Sequence, residues 1–298
     1  MAGAVNALAA SAFFLNNSAH ASRAALLLRT WFVDADTRMR PSARFAQVIP
    51  GVGHGQGLID FSDGADPGGG GNYDTSISLA HLLDSVRLLE WAAPAAWAAP
   101  DRAALDAWVR EWHGWILTDS AAQASAAAKN NIGDWYDSLA ASAAYFVGNQ
   151  STVQAVCDAA PARRIAEQVT ADGSLPAEDA RTKSESYHAF AMVALLDLAW
   201  LCRTAAPTAP DLFEYETADG RSLRGVVEWM LPLASGRLPW TAGAQVRPFD
   251  PTVFSKVYRT AALGWPHSRR RFGAVAARQP GARASRQNLL RPFPTGVR

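Results

Sequence analysis

Two short stretches hold most of the residues able to do chemistry. The first reads Lys129-Asn130-Asn131-Ile132-Gly133-Asp134-Trp135-Tyr136-Asp137, with two adjacent amides, a glycine, two acids and two aromatics. Asparagine competes for backbone hydrogen bonds and so favours caps and turns over helix interiors. A helix N-terminus capped by Asn131 or Asp134 therefore explains part of the pattern. It does not account for Trp135 and Tyr136, which beside Asn130 and Asn131 look like a sugar-binding wall next to hydrogen-bonding amides.

The second stretch reads Arg181-Thr182-Lys183-Ser184-Glu185-Ser186-Tyr187-His188. Thr182 and Glu185 have capping-box spacing, which puts a helix start there and leaves Arg181 just outside, free to swing into a cleft. Lys183 and Tyr187 fall on one helical face, and a cation held beside a phenol favours the phenolate. Taken alone, capping and solvation explain Lys183 and Glu185, and a satisfied core tyrosine explains Tyr187. Two such clusters in one chain favour a site. A third contributor is the polar, Gly/Pro-punctuated connection from residue 34 to about 72, which carries Gln47 and, among glycines, His54 and Gln56. A connection of that length suits a lid or cleft wall.

Other chemistries find little support. No Cys/His cluster has zinc spacing and no glycine-rich segment fits a phosphate cradle, so neither a metal nor a cofactor is expected. Cys157 and Cys202 lie in apolar helical surroundings and read as small buried hydrophobes rather than a disulfide.

The elements that must position these residues are helical. The 298 residues are 49% hydrophobic and 18% charged, enough for a large core. Alanine is abundant and strand-like alternation is hard to find, so the class is all-α. Periodicity and caps place helices near residues 4–15, 18–32, 75–91, 101–119, 134–146, 152–170, 183–203, 223–233 and 252–263. Asp-Gly turns fall at 171–174 and 218–221. Antiparallel helix pairs joined by polar loops point to an α/α toroid or a related helical array. No apolar run approaches the length that crosses a bilayer, and no membrane is expected. The apolar run 7–15 followed by Ala19-His20-Ala21 resembles an export signal, but no Lys or Arg precedes it; a helix pair is the preferred reading.

Charge is uneven. The chain carries 28 basic and 27 acidic residues; eight arginines and no acid fall after residue 265, leaving 20 − 27 = −7 for residues 1–265. The domain is therefore set at 1–265. Residues 266–298 read as an Arg-rich, disordered tail outside the core, not as a nucleic-acid contact.

The first stretch resembles the Asn-Asn-His-Gly-x-Trp-Tyr-Asp motif of the alginate lyase domain family. The segment Asp172-Gly173-Ser174-Leu175-Pro176 followed by Arg181-Thr182-Lys183-Ser184 and Tyr187 is similar to a later motif of that family. Arg40-Pro41 with Gln47-Val48-Ile49-Pro50-Gly51, and Asp219-Gly220-Arg221-Ser222-Leu223-Arg224, resemble others, so the likeness spans roughly residues 4–263. It implies an α/α toroid and β-elimination on an anionic, uronic-acid-containing polysaccharide. The hydrogen at C5 is weakly acidic because the adjacent carboxylate opposes carbanion formation, so groups that neutralise that carboxylate stabilise the transition state. By position, Asn131 and Arg181 would hold the carboxylate, and Tyr187 would act as base, acid or both. Trp135 and Tyr136 would shape the sugar site, with Asn130, Lys183, His188, Gln47 and His54 as further substrate contacts. The family also implies a secreted or periplasmic protein. One departure matters: Ile132 stands where the motif has histidine, the natural proton carrier near neutral pH. Either Tyr187 makes both proton transfers, or the chain binds sugar without cleaving it. A glycoside hydrolase on the same helices would instead need two opposed carboxylates from among Asp134, Asp137 and Glu185.

Overall fold

The computed structural model describes residues 1–43, 48–49, 53–54, 72–243 and 245–278, with backbone alone at 48–49, 53–54, 72–78 and 278. The class is all-α, as the composition predicts. The helices are α1 (Ala2–Leu15), α2 (Ser18–Leu28), α3 (Asn72–Ala92), α4 (Ala99–Thr118), α5 (Ser120–Ala126), α6 (Asn131–Phe146), α7 (Gln150–Ala160), the single turn α8 (Pro176–Asp179), α9 (Ser184–Ala205), α10 (Leu223–Ala234), α11 (Ser255–Gly264) and α12 (Arg269–Arg278). The extended backbone among the described residues is a two-residue antiparallel ladder pairing Val48 with His54.

Packing divides the described residues into two units, residues 1–127 with 142–149, and residues 128–141 with 150–278. In the first, α1 packs on α3, where the buried Ser85 hydroxyl donates to Asn6 Oδ1 at 2.7 Å. Asn16 leaves α1 in the left-handed region (φ 49°), and Asn17 caps α2 by accepting from the His20 N–H. Both asparagines use the local hydrogen bonding and left-handed tolerance that set this residue apart. Arg29 holds the N-terminal turn of α4 through Asp101 at 2.6 Å and the Ala96 carbonyl at 2.7 Å.

The second unit is built on α9. By length and composition this 22-residue helix could cross a bilayer, which corrects the expectation that no run comes near that size. Its apolar sides are instead buried, with α7, α8 and α11 packed against it. Cys157 of α7 and Cys202 of α9 form a disulfide, so the reading of two free buried thiols was wrong. Their separation of 45 residues hid the pairing, since only helix packing brings them together. The Asp-Gly turns form as expected, with Gly173 at φ 91° and Gly220 at φ 88°. At Gly173 a Cβ would also lie 2.5 Å from the Gly225 carbonyl, which ties this turn to α10.

The boundary at residue 265 does not hold. α12 packs on α11 with Phe272, Val275 and Ala276 buried, and Arg271 pairs with Glu228 at 2.7 Å. Arg269, Arg270 and Arg271 are exposed while Phe272, Val275 and Ala276 face the core, a pattern that the high Arg content masked. Residues 279–298 lie outside the described part.

Candidate active site

α6 begins at Asn131, three residues before the expected start, and its cap is Asn130, whose Oδ1 accepts from the Ile132 N–H at 3.1 Å. Asn131 is therefore not the cap. Its side chain turns inward and is 2% exposed. There Glu178 of α8 receives the Asn131 backbone N–H at 2.7 Å, while Asn131 Nδ2 lies 2.9 Å from each carboxylate oxygen. Burial pushes the Glu178 pKa up, and the bonds from Asn131 and the Arg181 charge pull it back.

Arg164 supports the same turn from behind. It is 2% exposed and emerges from the π turn Pro161–Ala166 that follows α7. Its Nε donates to Asp137 at 2.6 Å and its Nη1 to the Ala128 carbonyl at 2.7 Å. Gly133 makes room for this arrangement: a Cβ there would sit 2.1 Å from the Ala128 oxygen and 2.2 Å from Arg164 Nη1. The glycine of the motif is thus a packing requirement and not a hinge. Asp134, also buried, has its pKa pushed well up by loss of solvent, with Arg164 pulling the other way.

The aromatics of this stretch do not form a sugar wall. Trp135 is buried and packs on Phe190 with ring centres 5.1 Å apart, and Tyr136 is buried too. One turn of helix points both inward, where periodicity alone could not assign them a face.

The second stretch is more open. α9 begins at Ser184 with Lys183 at its N-cap and no side-chain cap, so the Thr182–Glu185 capping box does not form. Residues of the 240–247 strap take its place. Gln245 Oε1 accepts from the Ser184 N–H at 3.1 Å, and Trp240 Nε1 and Gln245 Nε2 each donate to Ser184 Oγ at 2.7 Å. Glu185 is buried and pairs with Arg247 at 3.4 Å, and Arg247 also bonds Ser186 Oγ. The half-buried Arg181 is not swinging free. Its guanidinium lies 3.8 Å above the ring of the half-buried Tyr187, so the cation on that phenol is Arg181, while Lys183 is exposed.

His188 is fully buried. It stacks on Trp229 at 5.3 Å, its Nδ1 lies 3.0 Å from the Ser184 carbonyl, and its Nε2 lies 3.4 Å from Asp179. Burial lowers its pKa to about 4, so it is neutral at physiological pH. Gln47 lies outside the described residues, and of His54 only the backbone is described.

These contacts link the three principal residues. Asn131 bonds the Glu178 side chain, the Arg181 N–H donates to the Glu178 carbonyl at 3.1 Å, and Arg181 covers Tyr187. Sequence reasoning missed Glu178 and Arg164, since one acid in a short helix and one arginine in a helical run carry no local signal. Among the described residues no group of three or more His, Cys, Asp or Glu side chains is placed to hold a metal.

The all-α fold is of the α/α-toroid kind. An alginate lyase family model matches residues 1–240, and the chain belongs to that family. A crystal structure of an alginate lyase from Bacteroides ovatus is similar at 25% identity with a TM-score of 0.78, over 96% of this chain and 70% of that one. No curated protein matches.

Proposed function

We propose that this chain cleaves a uronic-acid-containing polysaccharide by β-elimination, with Tyr187 as the proton carrier. The observation behind this reading is the Arg181 guanidinium 3.8 Å above the Tyr187 ring, on a turn tied through Glu178 to Asn131. The substrate carboxylate docks against Arg181 and an Asn131 N–H, which take up the negative charge that grows as C5–H breaks. The Tyr187 oxygen, entering the reaction as phenolate beside the Arg181 guanidinium, takes the C5 proton. The C5–H electron pair becomes the C4=C5 double bond, the C4–O4 bond breaks, and the departing O4 takes a proton from the phenol. One phenol so placed makes both transfers, which accommodates Ile132 where the family motif has histidine.

Charge at the mouth fits a polyanion. Arg181 and Lys183 bring positive charge to the start of α9, on a chain whose first 265 residues carry a net −7 by the count 20 − 27. The Cys157–Cys202 disulfide supports an oxidising location outside the cytoplasm.

Ile132 favours a second reading, a carbohydrate-binding relative without turnover. The hydrolase alternative fares worse, since Asp134, Asp137 and Glu185 are all buried, the latter two against arginines. Incubation with alginate, mannuronan and glucuronan separates the three. Elimination yields ultraviolet-absorbing unsaturated ends, hydrolysis yields reducing ends without that absorbance, and a binder shows affinity with no product.

A further inference from the structure

We propose that Glu178 is a positioning residue for the elimination, a buried carboxylate that fixes which way the Asn131 amide faces. The proposal rests on the polyuronate-lyase reading above. An asparagine amide has two orientations of nearly the same shape, one turning N–H groups and the other a carbonyl oxygen toward a given point. Only the first helps to hold a substrate carboxylate; the second repels it.

The contacts choose between them. Glu178 accepts the Asn131 backbone N–H on Oε1, and both of its oxygens lie 2.9 Å from Asn131 Nδ2. An ionised carboxylate only accepts, so a flipped amide would press Oδ1 against two oxygens with no hydrogen between them. Nδ2 thus bonds Glu178 on both oxygens, and on the lyase reading the N–H edge so oriented is the one a substrate carboxylate meets. Glu178 is 1% exposed, so water cannot satisfy a flipped Oδ1 on that side. The same glutamate also fixes the next group along: α8 is a single turn, and the Arg181 N–H closes onto the Glu178 carbonyl at 3.1 Å. One residue thus sets the distance between the amide and the guanidinium that are to share a carboxylate.

Glutamine at this position separates positioning from mere packing. Glu178→Gln keeps volume and shape and relieves the cost of burying a charge, so a structural role predicts equal or higher stability and unchanged turnover. Glutamine, however, can donate from Nε2 to a flipped Asn131 Oδ1 while its own oxygen still accepts the backbone N–H. The expected result is a variant with an undiminished melting temperature whose kcat/KM falls roughly tenfold to hundredfold, the scale of losing one aligned donor. In an Asn131→Ala background the same substitution should cost less than about threefold, because its effect passes through Asn131. Full activity of Glu178→Gln, or a loss undiminished in the Asn131→Ala background, overturns the proposal.

A second readout does not depend on turnover. The Asn131 side-chain NH2 pair, identified by its loss in Asn131→Ala, should exchange slowly in the wild-type chain and markedly faster in Glu178→Gln. Equal exchange in the two overturns the positioning role. Slow wild-type exchange in a chain that makes no unsaturated product from any polyuronate would sink the lyase reading and leave the fixed amide standing.

Discussion

The two helix starts that meet at Glu178 are built on opposite terms. At the start of α6, Asn131, Gly133, Asp134, Trp135 and Asp137 are all buried, and Arg164 is packed against the turn. At the start of α9, Arg181 and Tyr187 are half-buried and Lys183 is exposed. The first is a frame, and the second holds the phenol proposed to move protons. A motif read as a row of potential ligands is therefore mostly buried scaffold. The frame should fail by unfolding, and the open side should fail by losing rate while staying folded.

Gly133→Ala tests the frame most severely. Its Cβ would meet the Ala128 oxygen at 2.1 Å and Arg164 Nη1 at 2.2 Å, so the buried arginine must move or the turn must open. Overpacking and a broken buried ion pair together should cost about 4 kcal/mol in urea unfolding, or prevent folding. On the open side, Lys183→Ala should change stability by less than about 0.5 kcal/mol.

Removing the disulfide with Cys157→Ala and Cys202→Ala should cost about 3 kcal/mol, since it closes a long loop between α7 and the helix that carries Tyr187. Because the bond lies at the far end of α9, the account expects kcat to survive well below the lowered melting temperature. A collapse of kcat in the still-folded variant would mean that the two ends of α9 are not independent.

His188 links the two terms, since it is buried yet belongs to the open stretch. Its folded pKa of about 4 lies below the unfolded value of 6.5, so the unfolded chain binds the extra proton between those values. Stability from this group is whole above pH 6.5 and is lost as pH falls toward 4, by roughly 3 kcal/mol in total. Asp179, whose carboxyl is raised by burial, opposes part of that loss at the acid end. His188→Gln should flatten the acid slope of the melting temperature; an unchanged slope would show that other groups set it. The smallest effect is expected from Lys183→Ala, exposed at the start of α9. Affinity for an oligouronate should fall a few-fold at low salt and scarcely at high salt, as screening of exposed charge requires.

Much of this architecture can be read from the chain. Alanine-rich amphipathic segments gave helices whose ends fall within a few residues of those observed, and the Asp-Gly turns declared themselves by their chemistry. The site was legible as two clusters, but not as a division of labour. Which face Trp135 takes depends on Phe190, far away in sequence, and the value of Glu178 depends on a partner 47 residues distant. The same holds for Arg164, whose role appears only when Gly133 is seen to yield space to it. Local patterns fix elements, whereas buried charges are assigned by packing between them.

The central claim is tested most directly by following ultraviolet absorbance as wild-type chain and Tyr187→Phe act on polyuronates, with melting temperatures measured alongside. The account predicts unsaturated ends from the wild-type chain and at least a hundredfold slower formation from an equally stable Tyr187→Phe. Undiminished product formation by that variant would contradict it, because no phenol oxygen would then be needed to move the C5 proton.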